Sequence, residues 1–157
     1  MAHHPLLTRV RAAGILVRDG RVLMESMADR EVWVPLGGGV EEGESLAAAC
    51  EREFREELGL TVAVRRLALV TDHFFLDKLG RRNHEICAYF EVSADGEVEL
   101  SGRVDHLQFR WLELAALKDF ELVPRHLYEL LPACAAAPGP LYAVDDETGE
   151  GLRLLGE

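Results

Sequence analysis

The chain has 157 residues, enough for one domain with a substantial buried core. Its hydrophobic fraction of 48% and charged fraction of 29% are those of an ordinary soluble globular protein. A formal net charge of −11, from 28 acidic and 17 basic residues, argues against broad binding to nucleic acid or an anionic membrane. It leaves room for a nucleotide substrate, because a divalent ion and local arginines can invert the field at one site.

In chain order, residues 11–17 read as a strand, Asp19-Gly20 as a tight hairpin turn, and residues 21–26 as the return strand. Residues 31–34 make a short extended run that ends at Pro35, just before Gly37-Gly38-Gly39. From Ser45 the pattern is helical: a serine N-cap, an Ala-rich run of high helix propensity, and Gly59 as C-cap. Residues 61–71 read as a long strand bent near Arg65-Arg66. Residues 72–83 form a more polar, aromatic stretch with a turn at Leu79-Gly80-Arg81, and residues 84–93 are a strongly alternating strand. A turn at Asp95-Gly96, a short strand at 109–112 and a helix near 114–118 follow. A second main helix spans 124–131 with Pro124 in its first turn, residues 133–140 are a linker, and residues 141–155 form a terminal hairpin around Thr148-Gly149.

Cys50, Cys87 and Cys134 show no metal-ligand spacing and read as buried thiols, which implies a reducing, cytoplasmic setting. No apolar run has membrane-spanning length, and the opening residues lack a secretory hydrophobic region. His3 and His4 are a remote metal candidate beside the simpler reading of an unstructured terminus.

The chemistry concentrates in residues 38–60. At ~100° per residue, Ala47, Cys50, Phe54 and Leu58 share a stripe that faces a core. Glu53, Glu56 and Glu57 cluster on a second stripe, and Glu51 with Arg55 forms an outer i,i+4 pair. Like-charged neighbours of this kind repel by ~0.2–0.5 kcal/mol each, so a compensating charge is expected. Carboxylate oxygens suit Mg²⁺, which keeps its remaining sites for water and substrate phosphate. The preceding glycines let backbone approach that ion or a phosphate.

This stretch resembles the Nudix box of the Nudix hydrolases at all nine defining positions: Gly38, Glu44, Arg52, Glu53, Phe54, Glu56, Glu57, Gly59 and Leu60. The resemblance covers residues 12–131 and implies an α/β fold, the Nudix-type α/β/α sandwich with a mixed β-sheet. The expected division is an N-terminal segment (1–11), the Nudix domain (12–132), and a linker with tail (133–157) that is dispensable for chemistry. The implied activity is hydrolysis of a diphosphate bond in a nucleoside diphosphate linked to another moiety, with Mg²⁺ as cofactor and Mn²⁺ able to substitute. By position, Glu53, Glu56 and Glu57 with a carbonyl of Gly37 or Gly38 would hold metal, Glu53 and Glu57 directly and Glu56 partly through water. Arg52 would hold Glu53, and Glu44 would support the loop–helix junction.

The general base stays open between Glu53 and a later group. Family members that use a later glutamate carry it just before a strand ending in Trp; here that place holds Asp105 and His106, ahead of Trp111. Glu85 is a further candidate. For substrate contacts the aromatics and arginines Trp33, His73, Phe74, Phe75, Arg81 and Arg82 come first, with core packing or a solvated turn as the plain alternative for several. The expected partner is a small nucleotide, with no extended nucleic acid and no membrane. A homodimer could form through the tail and another protomer's sheet edge. Two other classes stand beside the hydrolase: a noncatalytic nucleotide-sensing Nudix domain, and a Nudix-fold isomerase, for which no cysteine has a matching context.

Overall fold

A computed structural model describes residues 7–27 and 29–155; His3 and His4 lie outside them. Strand β1 (Leu7–Arg18) organises the sheet. It pairs in parallel with β6 (Arg82–Ser93) from Leu7 to Leu16 and antiparallel with the glycine strand β4 (Gly37–Gly39) at Arg11 to Ala13. Its last residues pair with β2 (Arg21–Met27) through the Asp19-Gly20 turn. Both turn residues have positive φ, 52° and 73°, the backbone that a two-residue hairpin requires.

Strand β2 continues the sheet to β3 (Val32–Pro35) on one side and β7 (Leu107–Glu113) on the other. A two-residue β8 (Glu121–Leu122) pairs in parallel with β3. On the far side, β5 (Ala63–Leu76) pairs antiparallel with β6, with register shifts at Val64/Arg66 and Leu67/Leu69, where the bend was expected. The polar stretch 72–83 is therefore not a separate loop. Its two ends lie in β5 and β6, where Phe74 stacks on His84 across the strands at 4.3 Å. Backbone pairing and cross-strand contacts outweigh the polar composition there.

Helix α1 (Leu46–Leu58) covers one face of the sheet and α2 (Leu127–Ala136) the other. Phe54, Cys50, Leu58, Leu36, Ala88 and Phe90 form the first core; Leu127, Leu130, Leu131, Leu69, Tyr89 and Ala143 belong to the second. The architecture is the α/β/α arrangement with a mixed sheet. The helix expected near 114–118 forms at Leu114–Asp119 as a 3-10 helix, consistent with a run of six residues whose N-cap makes no side-chain bond. Helix α2 begins three residues after Pro124 and runs through Pro132 to Ala136, so residues 133–136, expected in a linker, are its last turn. The cause is apolar spacing: Leu127, Leu130, Leu131 and Cys134 all bury on one side.

The terminal hairpin forms as β9 (Leu141–Asp146) and β10 (Gly151–Leu155). Strand β9 pairs in parallel with β5 from Leu69 to Phe74, so the tail extends the chain's own sheet. Among the described residues, no helix is long and apolar enough to cross a membrane.

Candidate active site

Local signals set the ends of α1. Ser45 Oγ accepts from the Ala48 amide at 3.0 Å, and Gly59, at φ 65°, donates its amide to Arg55 O. Ala49, Cys50, Phe54 and Leu58 are buried, whereas Ala47, expected on this stripe, is only half-buried. The i,i+4 ion pair on this helix is Arg52–Glu56 at 3.2 Å; among the described residues, Glu51 and Arg55 form none. Arg55 faces solvent, so the Glu51–Arg55 contact would have little to gain.

Arg52 is the hub of the acidic face. Its Nη2 donates to Glu44 Oε1 at 2.7 Å and to Gly39 O at 3.0 Å, and its Nε to Glu44 Oε2 at 3.1 Å. Its Nη1 donates to Glu53 Oε1 at 2.9 Å and Glu56 Oε2 at 3.2 Å. One guanidinium thus fastens the glycine turn, the helix approach and two box carboxylates together, using its fixed fork of donors. Bonds from Arg52, and then from the Glu41 amide, hold the Glu44 carboxyl down at about 2. Glu44 also accepts from the Glu41 amide at 2.8 Å, closing the loop onto itself. Gly38 is glycine for a steric reason: a Cβ there would run into the Glu53 carboxylate.

Glu57 turns the other way, toward a residue the sequence did not single out. Glu25 of β2 is 6% exposed and within hydrogen-bonding reach of Glu57, while Arg11 Nη2 stands 3.6 Å from Glu25 Oε1. Burial pushes both carboxyls up, and the neighbouring Glu25 charge raises Glu57 further. Oε2 of Glu25 and Oε2 of Glu57 are buried with no hydrogen-bond partner among the described residues. The clue in the sequence is an acid at alternation with Leu23 in a largely apolar strand, which reads equally as an edge position.

Beside this cluster a cleft of about 290 Å³ is lined by Arg9, Val10, Arg11, Gly39 and Glu85. Glu85 pairs with Arg9 at 3.6 Å. Asp105 and His106 sit exposed on the turn before β7; the nearby Arg103 amide donates to Glu57 O at 2.7 Å at the C-terminal end of α1. Trp33, expected either to stack on a base or to pack, packs in the core at 4% exposure. Arg81 is tied to Asp77 at 2.8 Å in the β5–β6 turn, and the Arg82 guanidinium lies over the Phe74 ring at 4.4 Å. His73 is buried and stacked on Phe75 at 4.7 Å, on the α2 side of the sheet. The geometry therefore joins Arg52, Glu44, Glu53, Glu56 and Gly38, adds Glu25, Arg11 and Arg9, and holds the β5–β6 aromatics in contacts of their own. Cys50, Cys87 and Cys134 are all buried, and burial raises their thiols to about 12, 11 and 11, which removes them from nucleophilic or acid–base duty.

The donor set at the box, all oxygen and partly buried without partners, fits a hard divalent cation. A mixed sheet between two helices, with an acidic helix pinned to a glycine turn by one arginine, defines a Nudix-type hydrolase. The model of the NUDIX domain matches residues 8–134, and the chain belongs to that family. A MutT protein from Bacillus halodurans aligns with TM-score 0.72 and 21% identity over 94% of this chain and 95% of that one. A MutT NUDIX hydrolase from Burkholderia pseudomallei aligns with TM-score 0.52 and 28% identity, covering 68% and 84%. An ADP-ribose pyrophosphatase from Streptococcus suis aligns with TM-score 0.57 and 16% identity, covering 87% and 98%. The search of curated proteins gives no match.

Proposed function

We propose that this Nudix hydrolase cleaves a diphosphate bond in a nucleoside diphosphate linked to a second moiety, and that it requires a divalent cation, Mg²⁺ or Mn²⁺. The observation that carries this reading is the carboxylate group formed by Glu53, Glu57 and Glu25 beside the glycine turn, in which one buried oxygen each of Glu25 and Glu57 has no donor among the described residues. Glu53 and Glu57 would hold the ion, with Glu25 as an added ligand, Glu56 farther out, and the Gly38 carbonyl as a backbone donor. When bound, the ion neutralises diphosphate charge and lowers the pKa of a bound water.

The chain's own side chains do the rest. Arg52 fixes the Glu53 carboxylate, and Glu44 fixes Arg52. Arg9 and Arg11 line the adjacent cleft and supply positive charge for phosphate oxygens. Two carboxylates can accept the proton of the attacking water: Glu53 at the box, and Glu85 in the cleft wall. Glu85→Gln separates the roles: loss of the acidic limb of its pH–rate profile with metal affinity retained assigns the base to Glu85, and an unchanged limb leaves it to Glu53, whose own variant also weakens the metal.

The test is a substrate panel with Mg²⁺ or Mn²⁺, read by chromatography and phosphate release. ADP-ribose, the compound named for the Streptococcus suis neighbour, stands beside nucleotide sugars and oxidised nucleoside triphosphates in that panel. Cleavage that stops on chelation supports the proposal. Full activity after exhaustive chelation overturns the metal requirement. Binding without turnover indicates a sensing domain, and an isomerised product indicates the isomerase class.

A further inference from the structure

On the sheet face covered by α2, a second group of metal-ligand side chains converges where the tail joins the body of the sheet. His73 on β5 and Asp145 on β9 are register partners in the parallel ladder, and Glu147 follows directly after β9. One ligand atom from each of His73, Asp145 and Glu147 lies within 4.8 Å of the others. His73 is 2% exposed and Asp145 0%, so two of the three are deeply buried.

These side chains are poorly satisfied by their surroundings. Neither ring nitrogen of His73 nor Oδ2 of Asp145 has a hydrogen-bond partner among the described residues. Buried polar atoms left this way destabilise a fold unless something pairs with them. The other Asp145 oxygen is taken: His126 Nδ1–H, at the N-cap of α2, donates to Oδ1 at 2.8 Å. That bond orients the carboxylate and leaves Oδ2 without a partner, an arrangement in which an outer residue sets a ligand's direction. His73 Nε2 stands 3.4 Å from Glu147 Oε1. Two ligands bound at zinc distances and at the tetrahedral angle lie roughly 3.3–3.5 Å apart. Glu147 is partly exposed and forms the entry side of the site.

We propose that His73, Asp145 and Glu147 form a second divalent-metal site, of the zinc class, that fastens the C-terminal hairpin to β5 and to the start of α2. One imidazole and two carboxylates with an open fourth position match zinc's preferred donors and coordination number. The all-oxygen box site suits a harder ion, so the two sites differ in chemistry as well as in place. None of its ligands belongs to α1 or the glycine turn, but His73 is the cross-strand partner of Glu85 in the cleft wall, so the test reads metal binding and Tm rather than turnover.

The test uses the full chain, stripped of metal, with Co²⁺ and Zn²⁺ as probes. Wild type is expected to bind one Co²⁺ with the intense visible bands of tetrahedral coordination, which Zn²⁺ then bleaches. Zn²⁺ should raise Tm in wild type and equally in Glu57→Gln, which alters the box alone. Glu147→Gln, a change at a partly exposed turn, should keep the apo Tm yet weaken the tetrahedral site at least ~10²-fold. His73→Gln should do the same where it folds, with Glu147→Gln as the decisive variant where it does not. A wild type without tetrahedral bands and without a zinc-dependent rise in Tm overturns the site, and the three residues then form only a His73–Glu147 contact beside Asp145. Tetrahedral binding undiminished in Glu147→Gln also overturns the assignment.

Discussion

Gly38 and Glu53 illustrate how far single atoms decide this site. A methyl group at Gly38 meets only the end of a flexible side chain, so Gly38→Ala should fold with a nearly unchanged Tm while it displaces the Glu53 carboxylate. A displacement of about 1 Å at a reacting group costs ~10²-fold in rate, and kcat should fall by about that much; an unchanged kcat would mean Glu53 does not act from this position. Glu53→Gln and Glu57→Gln should each lower kcat by at least ~10²-fold, because the amide is nearly isosteric but loses the charge a hard cation prefers. Asp105→Asn, on an exposed turn, should cost about tenfold or less. Steady-state kinetics across Mg²⁺ concentrations, with thermal melts as folding control, reads all four variants. If Asp105→Asn proves as damaging as Glu53→Gln, the base belongs to the later turn. Arg52, Glu44 and Glu53 were legible in the sequence because their partners lie within one turn and helix. Glu25 was not, because its partner Glu57 arrives from another element through the tertiary fold.

At the scale of elements, the local code was strong where capping or turn chemistry is explicit. Asp19-Gly20 and the Ser45/Gly59 caps formed as their residue types dictate. It failed where a polar composition hid a paired backbone, as in the β5–β6 hairpin, and where apolar spacing carried α2 through Pro132. The hairpin tip is held by Asp77, whose carboxylate accepts from the Leu79 and Arg81 amides at 2.9 Å each and from Arg81 Nε at 2.8 Å. Those bonds, the Arg81 amide foremost, draw the Asp77 carboxyl down to about 2, below the ~3.9 of an unfolded aspartate. Between these values the unfolded chain binds more protons than the folded one, so stability rises with pH across that window. The contribution is complete above about pH 4 and disappears as pH falls through 2. Wild type should therefore exceed Asp77→Asn in Tm at pH 6, with the two converging near pH 2. A gap that is constant from pH 6 to pH 2 would show that the turn does not depend on the charge.

For the molecule as a whole, the tail stands apart in the sequence because it follows a linker and lies outside the stretch that resembles the family, and neither fact says which strands share a sheet. Ala143 of β9 is fully buried in the same core as Leu127 and Leu69, and β9 runs along β5 for six register pairs. Ending the chain near Pro138 would strip this edge from β5, uncover part of the α2 core, and leave His73 without its Asp145 neighbour. By comparison with a large-to-small change in a core, the loss is about 3 kcal/mol. For a domain of this size that lowers Tm by roughly 6–12 °C. The box itself lies on the other face of the sheet, so the kcat of the molecules still folded at 20 °C should stay within about threefold of wild type. Urea melts and kinetics on the truncated chain measure both quantities. A Tm equal to that of the full chain would show that the hairpin adds nothing to the body of the sheet. A Tm loss of the expected size with no activity at all would instead mean that the α2 face communicates with the carboxylates of α1.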